Sequence, residues 1–280
     1  MKDKPLFLTS ILFLLFFFAY HPVIYDLRDS VLGNELAHHT PLVFALAGFL
    51  VYRDKQRLTA AMETSNRGGN MTVLLLGLAM NLLGQAAGIY YLAQISIPVS
   101  LYGMAGYLFG RGVAGKLVFP LAFLLLAFPI PGKIYTELTF PLKLLVTHAA
   151  GFVLTLVGYS VKIYGNVLDV SSHLIGVIDA CSGLNSLMAI LTLSIFFSYL
   201  TIRYKRHRLA IVLTMLPLVM IANVLRVVTT AIITVHWGAQ YTEGTWHTLW
   251  GMAVFVVSVL GLALVSKLFI SIEGRDSHAS

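Results

Sequence analysis

The chain is dominated by long apolar stretches separated by short polar ones. Nine such stretches can be marked, at about 5–25, 38–52, 71–91, 95–110, 117–130, 141–160, 184–200, 209–235 and 246–270. A helix needs roughly 20 mostly apolar residues to cross the hydrocarbon core of a bilayer, with about 17 tolerated. Most stretches meet this length, and 38–52, 95–110 and 117–130 need flanking residues to complete a span. The pattern predicts an all-α polytopic membrane protein.

Composition agrees with a membrane protein and excludes a soluble globular one. Of the 280 residues, 58% are hydrophobic and 11% charged, against about 25% charged in soluble domains. The net charge of +7 would suggest a nucleic-acid partner in a soluble protein. In a membrane protein it indicates orientation, because basic residues are retained on the cytoplasmic side. A single cysteine excludes a disulfide framework and a thiolate zinc site.

The positions of the basic residues predict a topology. Four clusters fit the cytoplasmic side: Lys2 and Lys4; Arg53, Lys55, Arg57 and Arg67; Arg111 and Lys116; Arg203, Lys205, Arg206 and Arg208. Five apolar stretches separate the second cluster from the fourth, and an odd number cannot return the chain to the same side. We assign 141–160, which contains Pro141, Lys143 and His148, to an interfacial or re-entrant helix on the outer side. About eight transmembrane helices remain, with both termini in the cytoplasm and 5–25 as a retained signal anchor.

Between 161 and 180 the pattern changes from helical to strand-like. Branched apolar residues alternate with polar ones, and Gly165-Asn166 offers a two-residue turn. We expect a short β-hairpin on the outer face of the membrane. The chain then forms one integral membrane domain, with N-terminal helices over 1–130, an outer-face helix and hairpin over 131–180, and catalytic helices over 181–270.

Two motifs resemble binding sites but lack residues that those sites require. Residues 110–116 read Gly-Arg-Gly-Val-Ala-Gly-Lys, but Leu117 follows where a phosphate-binding loop needs a hydroxyl, and no strand precedes them. A glycine-rich cytoplasmic turn is favoured. Glu35, His38 and His39 could hold a metal, but no further ligand follows at a helical spacing, so interfacial histidines are favoured. No metal or cofactor is predicted.

Cys181 lies in Asp179-Ala180-Cys181-Ser182-Gly183, immediately before the apolar stretch 184–200. If Asp179 caps that helix, the thiol lies in its first turn, where unpaired backbone N–H groups and the helix dipole stabilise a thiolate. The alternative is a buried cysteine that packs as a small hydrophobic residue. A position at the water boundary favours the nucleophile.

Arg226 is a charged residue inside the apolar stretch 209–235. An arginine in a membrane helix costs roughly 2.5–3.5 kcal/mol on insertion scales, so it usually has a partner or a function. It follows Arg208 by 18 residues, about 27 Å along a helix, near the outer boundary. Asn223, three residues earlier, shares its helix face and favours a polar pocket. Snorkelling to outer headgroups is the alternative.

His247 opens the last apolar stretch. The stretches 209–235 and 246–270 run in opposite directions, so His247 is also expected at the outer face; a role in an aromatic belt beside Trp246 and Trp250 is the alternative. Cys181, Arg226 and His247 therefore fall at one membrane depth. A thiolate, a proton-transfer group and a cation that holds an oxyanion point to acyl transfer through a thioester.

These motifs resemble the exosortase and archaeosortase family of membrane-embedded cysteine transpeptidases. The resemblance rests on Gly165, on Ala180-Cys181-Ser182-Gly183, on Ala222-Asn223 with Arg226, and on Gly244 with His247 and Gly251. It implies Cys181 as nucleophile, His247 as general acid/base and Arg226 as the third catalytic residue, supported by Asp179, Ser182, Gly183 and Asn223. Many members have Glu where Asp179 stands and an acidic residue where Thr248 stands.

The resemblance also implies partners and a location. Substrates would be exported proteins with a C-terminal signal made of a short motif such as Pro-Glu-Pro, a membrane helix and a basic tail. Cleavage would occur at the outer face of the cytoplasmic membrane, with transfer to an unidentified acceptor; membrane lipid and no nucleic acid would be bound. An exposed strand edge beside Cys181 could hold the recognition motif by backbone pairing.

Two other functions remain open. One is an intramembrane serine protease that uses Ser182 and His247. The other is a transporter or lipid-handling protein in which Arg226 binds an anionic head group.

Overall fold

The computed structural model describes residues 4–33, 39–64, 69–177, 184–242 and 244–279. They form two compact units, 1–131 and 132–280. The first unit contains six helices within these ranges: α1 (Lys4–Gly33), α2 (Thr40–Arg53), α3 (Lys55–Thr64), α4 (Met71–Ala86), α5 (Tyr90–Phe109) and α6 (Arg111–Phe123), the last followed by a 3-10 turn at Leu124–Ala127.

Close helix contacts and buried hydrogen bonds hold the first unit together. A Cβ built on Gly84 of α4 would stand 2.6 Å from the backbone nitrogen of Ala93 of α5, so this approach requires glycine. Tyr20 of α1 is fully buried, and its hydroxyl lies 2.9 Å from Ser96 Oγ and 2.7 Å from Ser100 Oγ. Hydrogen bonds between helices satisfy polar groups that have no water in a bilayer.

The two motifs rejected from sequence have structural roles. The ring Nε2 of His39 donates to the Leu126 carbonyl at 2.8 Å, which ties the start of α2 to the 3-10 turn; His38 and Glu35 lie outside the described residues. In 110–116, only Gly110 (φ 96°) forms the turn between α5 and α6, which begins at Arg111. A helix precedes the run, whereas a phosphate-binding loop follows a strand.

The second unit contains a small sheet among four helices within the described ranges. Its elements are α7 (Gly132–Leu156), β1 (Val161–Tyr164), β2 (Val167–Val170), β3 (His173–Gly176), α8 (Leu184–Thr201), α9 (Lys205–Trp237), a 3-10 turn at Ala239–Tyr241, and α10 (Gly244–Ala279).

The predicted hairpin is part of a three-stranded antiparallel sheet in the described chain, ordered β1-β2-β3. The turn at Gly165-Asn166 is confirmed, with Gly165 at φ 60°. The second turn, Ser171-Ser172, has φ values of 50° and 68°. Positive φ at both central residues is the type I′ geometry usually marked by Asn-Gly. The predicted hairpin is therefore confirmed as β1 and β2, whereas the third strand was not predicted, because two serines give no sequence signal for the second turn.

The sheet rests on α7 and α9. Leu168 and Val170 of β2 are fully buried, in a cluster that includes Val146, Ala150 and Leu154 of α7 and Val227, Val228 and Ala231 of α9. The Tyr159 hydroxyl lies 2.7 Å from His236 Nε2, linking the chain before β1 to the end of α9. The sheet is thereby fixed to the helix that carries Arg226.

Five helices among the described residues are long and apolar enough to cross a membrane, by length and composition: Thr9–Gly33, Tyr90–Phe109, Gly132–Leu156, Lys205–Trp237 and Gly244–Glu273. Shorter apolar helices occur at Thr40–Arg53, Met71–Ala86 and Leu187–Thr201. A mostly helical membrane protein is confirmed, whereas the number of eight crossings stays a prediction.

Two predicted segments differ from the structure. The segment 117–130 is divided between the 13-residue α6 and the 3-10 turn. The segment 141–160 belongs to α7, which begins nine residues earlier at Gly132 and qualifies as a span. Its polar residues suggested an interfacial or re-entrant helix, but Lys143 is 8% exposed and Thr147 is fully buried. Protein packing shields Lys143 and Thr147, whereas His148 is exposed, so the two buried residues give no reason to place this helix at the interface.

Candidate active site

Arg226 is buried in the second unit, with 6% of its surface exposed. It lies on α9, which is helical without a break from Lys205 to Trp237. Arg226 follows Lys205 by 21 residues, which corresponds to about 31 Å along the helix axis. The helical path assumed from sequence is therefore confirmed, and the burial argues against a side chain that snorkels to lipid headgroups.

Gly251 of α10 lies directly against the Arg226 guanidinium. A Cβ built on Gly251 would stand 3.4 Å from Nη2, 3.6 Å from Cζ and 3.7 Å from Nη1. These are van der Waals distances, so the planar guanidinium packs on the backbone of α10. A residue with a long side chain at position 251 would occupy the place of the guanidinium.

His247 lies one helical turn before Gly251 on α10, so both positions share a side of that helix. The structure describes the backbone of His247 and leaves its side chain undescribed. The packing of Arg226 on Gly251 therefore brings Arg226 to the side of α10 that carries position 247.

The predicted residues Asp179, Cys181, Ser182 and Gly183 lie in 178–183, outside the described residues. The chain on both sides of this segment is described. Before it, the Val177 N–H donates to the Asn166 carbonyl at 2.8 Å, and Asn166 Nδ2 donates to the Val177 carbonyl at 3.2 Å. After it, α8 is described from Leu184, the first residue of the predicted apolar stretch 184–200.

The start of α8 lies near the level of Asn223 and Arg226 on α9. Residues 202–204 join the two helices, so these run antiparallel. Leu187 of α8 and Val219 of α9 line the same apolar cavity. Because the helices run in opposite directions, moving one turn from Leu187 towards Leu184 corresponds to moving one turn from Val219 towards Asn223. Leu184, the first described residue after the segment with Cys181, thus lies near the level of Asn223 and Arg226.

Asn223 is the one predicted supporting residue that the structure describes in full. It is 1% exposed, and neither Nδ2 nor Oδ1 has a hydrogen-bond partner in the described part of the chain. Val219, Asn223 and Arg226 follow a spacing of four and three residues, so they share one stripe of α9. Val219 belongs to a cluster with Ile190 of α8 and Leu262 of α10, so this stripe faces those helices.

The outer edge of β3 is a further feature, which the sequence analysis did not assign to a particular strand. Val170 and His173 flank a two-residue turn and pair with each other. The backbone N–H and C=O groups of His173 and Ile175 therefore point to β2, and those of Val177 point to Asn166, the residue before β2. Leu174 and Gly176 consequently direct their N–H and C=O groups outwards, and no strand pairs with this edge among the described residues. Leu174 is also 73% exposed.

A family model described as transmembrane exosortase matches residues 30–264 of the chain. The match covers most of the sequence and includes every predicted site residue from Asp179 to His247. No curated protein and no solved structure gives a significant match to the chain.

Proposed function

Because the chain belongs to the transmembrane exosortase family, we propose that it is a cysteine transpeptidase that cleaves C-terminal sorting signals of exported proteins. Family membership supports a membrane-bound sorting protease or transpeptidase in general. The proposal adds the cysteine mechanism, the residues and the type of signal.

The observation that carries the proposal is the contact between Arg226 and Gly251. It places a buried guanidinium on the side of α10 that carries position 247 and near the level at which α8 begins. Along the chain, Cys181 precedes α8, Arg226 lies on α9 and His247 lies on α10, and α8, α9 and α10 belong to one unit. A buried cation at such a junction suits a negative charge that develops during a reaction.

In the proposed reaction, the Cys181 thiolate attacks the carbonyl carbon of the scissile peptide bond. The carbonyl oxygen becomes an oxyanion, and Arg226 stabilises it with its N–H donors. His247, as an imidazolium, gives its proton to the leaving amine when the carbon–nitrogen bond breaks, which leaves a thioester on Cys181. The nucleophilic group of an acceptor then attacks the thioester, His247 takes its proton, and the thiolate leaves.

The recognition motif of the substrate would bind along the outer edge of β3. Gly176 ends this strand five residues before Cys181, and the outward N–H and C=O groups of Leu174 and Gly176 match those of an extended peptide. A peptide added there would lie beside the chain segment that carries the nucleophile.

The proposed location is the cytoplasmic membrane, with both termini inside and the site at the outer face. α9 begins among the basic residues Lys205, Arg206 and Arg208, which favour the cytoplasmic side. Arg226 stands about 31 Å further along the axis, roughly the thickness of the hydrocarbon core.

The test uses the full chain in native membranes and a reporter substrate. The reporter is an exported protein that ends in Pro-Glu-Pro, an apolar helix of roughly 20 residues and a basic tail. With the intact enzyme we expect cleavage and, by mass spectrometry, a Cys181 adduct that hydroxylamine releases. Cys181→Ala should abolish both, whereas Ser182→Ala should retain both.

Loss of cleavage in Ser182→Ala alone would establish the serine protease instead. Cleavage that survives Cys181→Ala, or the absence of any adduct, would overturn the cysteine mechanism. If alkylation of the Cys181 thiol also leaves the function of the protein unchanged, the transporter or lipid-handling alternative gains support.

A further inference from the structure

Asn223 combines deep burial with unused hydrogen-bonding groups. Its side chain is 1% exposed, and both amide atoms lack a hydrogen-bond partner in the described chain. Most buried side-chain polar groups in proteins are hydrogen-bonded, since burying one unpaired is unfavourable. In a membrane helix the surroundings offer no replacement by bulk water. The fold therefore carries a buried amide that makes no hydrogen bond within the described residues.

A second buried asparagine shows what a structural role looks like in this chain. Asn81 of α4 is also 1% exposed, but its Nδ2 donates to the Ala19 carbonyl at 3.0 Å and its Oδ1 accepts from Gln85 Nε2 at 2.9 Å. Its amide links α4 to α1. The two residues have the same type, the same burial and a helical setting, and they differ in whether the amide has hydrogen-bond partners within the described residues.

The position of Asn223 indicates what its amide meets. It lies between Val219, which packs in the cluster shared with α8 and α10, and Arg226, which packs on Gly251. Asn223 is therefore on the stripe that leads from the apolar core of the unit to the proposed site. It also stands near the level at which α8 begins after the segment with Cys181.

The chemistry of an amide matches a peptide backbone. Asn offers two N–H donors and a carbonyl acceptor, so Nδ2 can donate to a peptide carbonyl oxygen and Oδ1 can accept from a peptide N–H. A neutral donor beside a guanidinium strengthens the binding of an oxygen that becomes negative, without adding charge to the membrane.

We propose that Asn223 is a catalytic residue whose Nδ2 donates a hydrogen bond to the carbonyl oxygen of the scissile peptide bond, next to Arg226. The role rests on the proposed acyl transfer. Arg226 balances the negative charge that develops on this carbonyl oxygen, and the hydrogen bond from Asn223 fixes the orientation of the oxygen. No covalent bond is made to Asn223.

The test compares Asn223→Leu with the matched control Asn81→Leu, each in the full chain purified in detergent and in native membranes. Asn223→Leu should leave the thermal midpoint unchanged or raise it by about 2–4 °C, because it removes a buried amide that makes no hydrogen bond within the described residues. It should slow formation of the Cys181 adduct with the reporter by about 10²–10³-fold, with a small change in KM. Asn81→Leu should lower the midpoint, and folded enzyme should keep its rate constant.

A conservative variant distinguishes the effect of the Asn223 N–H donor from the effect of the shape of its side chain. Asn223→Asp keeps the shape but loses the N–H donor, and it should be as slow as Asn223→Leu. Asn223→Leu with a normal rate, or with a midpoint lowered as far as that of Asn81→Leu, overturns the inference. The proposed function fails separately, through cleavage by Cys181→Ala, and a normal rate in Asn223→Leu leaves that function intact.

Discussion

The Arg226 guanidinium packs against Gly251, with Nη2 3.4 Å from the position that a Cβ would take. This contact between α9 and α10 involves a buried cation of the second unit. It holds the side chain on the face of α10 that carries position 247. Variants at Gly251 therefore test the site without changing any residue to which we assign chemistry.

Gly251→Leu should displace the guanidinium and lower the rate of reporter cleavage by about 10²-fold or more, as loss of an oxyanion donor does. Gly251→Ala should fold normally and stay within about threefold of the native rate, because its methyl group would make ordinary van der Waals contact at 3.4–3.7 Å. The measurement is the rate of cleavage per folded enzyme. Gly115→Leu is the matched control, since a Cβ at Gly115 of α6 meets no atom within 4 Å. Equal rates for the two leucine variants would contradict the role of this contact.

Substitutions in β3 test substrate binding at its outer edge. Leu174→Pro removes an N–H that points away from β2, so the sheet should survive while KM for the reporter rises about tenfold and kcat changes little. Leu174→Ala keeps that N–H and should leave KM near its native value. Ile175→Pro removes an N–H directed to β2 and should lower the thermal midpoint. If Leu174→Pro and Leu174→Ala bind the reporter equally well, the peptide does not pair with this edge.

The Ser171-Ser172 turn holds two non-glycine residues at positive φ. Such conformations cost about 1 kcal/mol or more for each residue with a Cβ, whereas Asn-Gly adopts this turn readily. The double change Ser171→Asn with Ser172→Gly should raise the thermal midpoint by about 2 °C or more. Gly165→Ala, at φ 60° in the other turn, should lower it. An unchanged midpoint in both cases would mean that the turns contribute little to the unfolding equilibrium.

Glu273 of α10 binds the start of α9. Its carboxylate accepts from the N–H groups of Arg203 at 2.9 Å and Tyr204 at 3.0 Å, and His207 Nδ1 lies 2.9 Å away. Glu273→Ala should lower the thermal midpoint by about 4 °C or more, because each hydrogen bond to a charged group stabilises by about 1.5 kcal/mol or more. Glu273→Gln retains one acceptor oxygen and should lose less. The cleavage rate of folded enzyme should stay unchanged in both variants, since α9 begins at Lys205, about 31 Å along the helix axis from Arg226.

Sequence patterns located most helices but not their full lengths. The stretch 209–235 corresponds to α9 and 246–270 to α10, because a continuous apolar run in a membrane protein has few alternatives to a helix. Polar residues misled the prediction where tertiary packing buries them, as with Lys143 and Thr147 in α7. Turns were found where glycine marks them, and β3 was missed because two serines adopt the second turn.

By itself, the sequence determined that the chain is a helical membrane protein, and it singled out Arg226, because a charge in an apolar stretch is costly and visible without a structure. Only the tertiary structure decided that Arg226 lies on Gly251, that Asn223 is buried with no hydrogen-bond partner among the described residues, and that the backbone groups of Leu174 face outwards. These facts depend on which helices and strands pack side by side. Arg226 and Gly251 are 25 positions apart and meet only through such packing, which the local periodicity of the sequence does not predict.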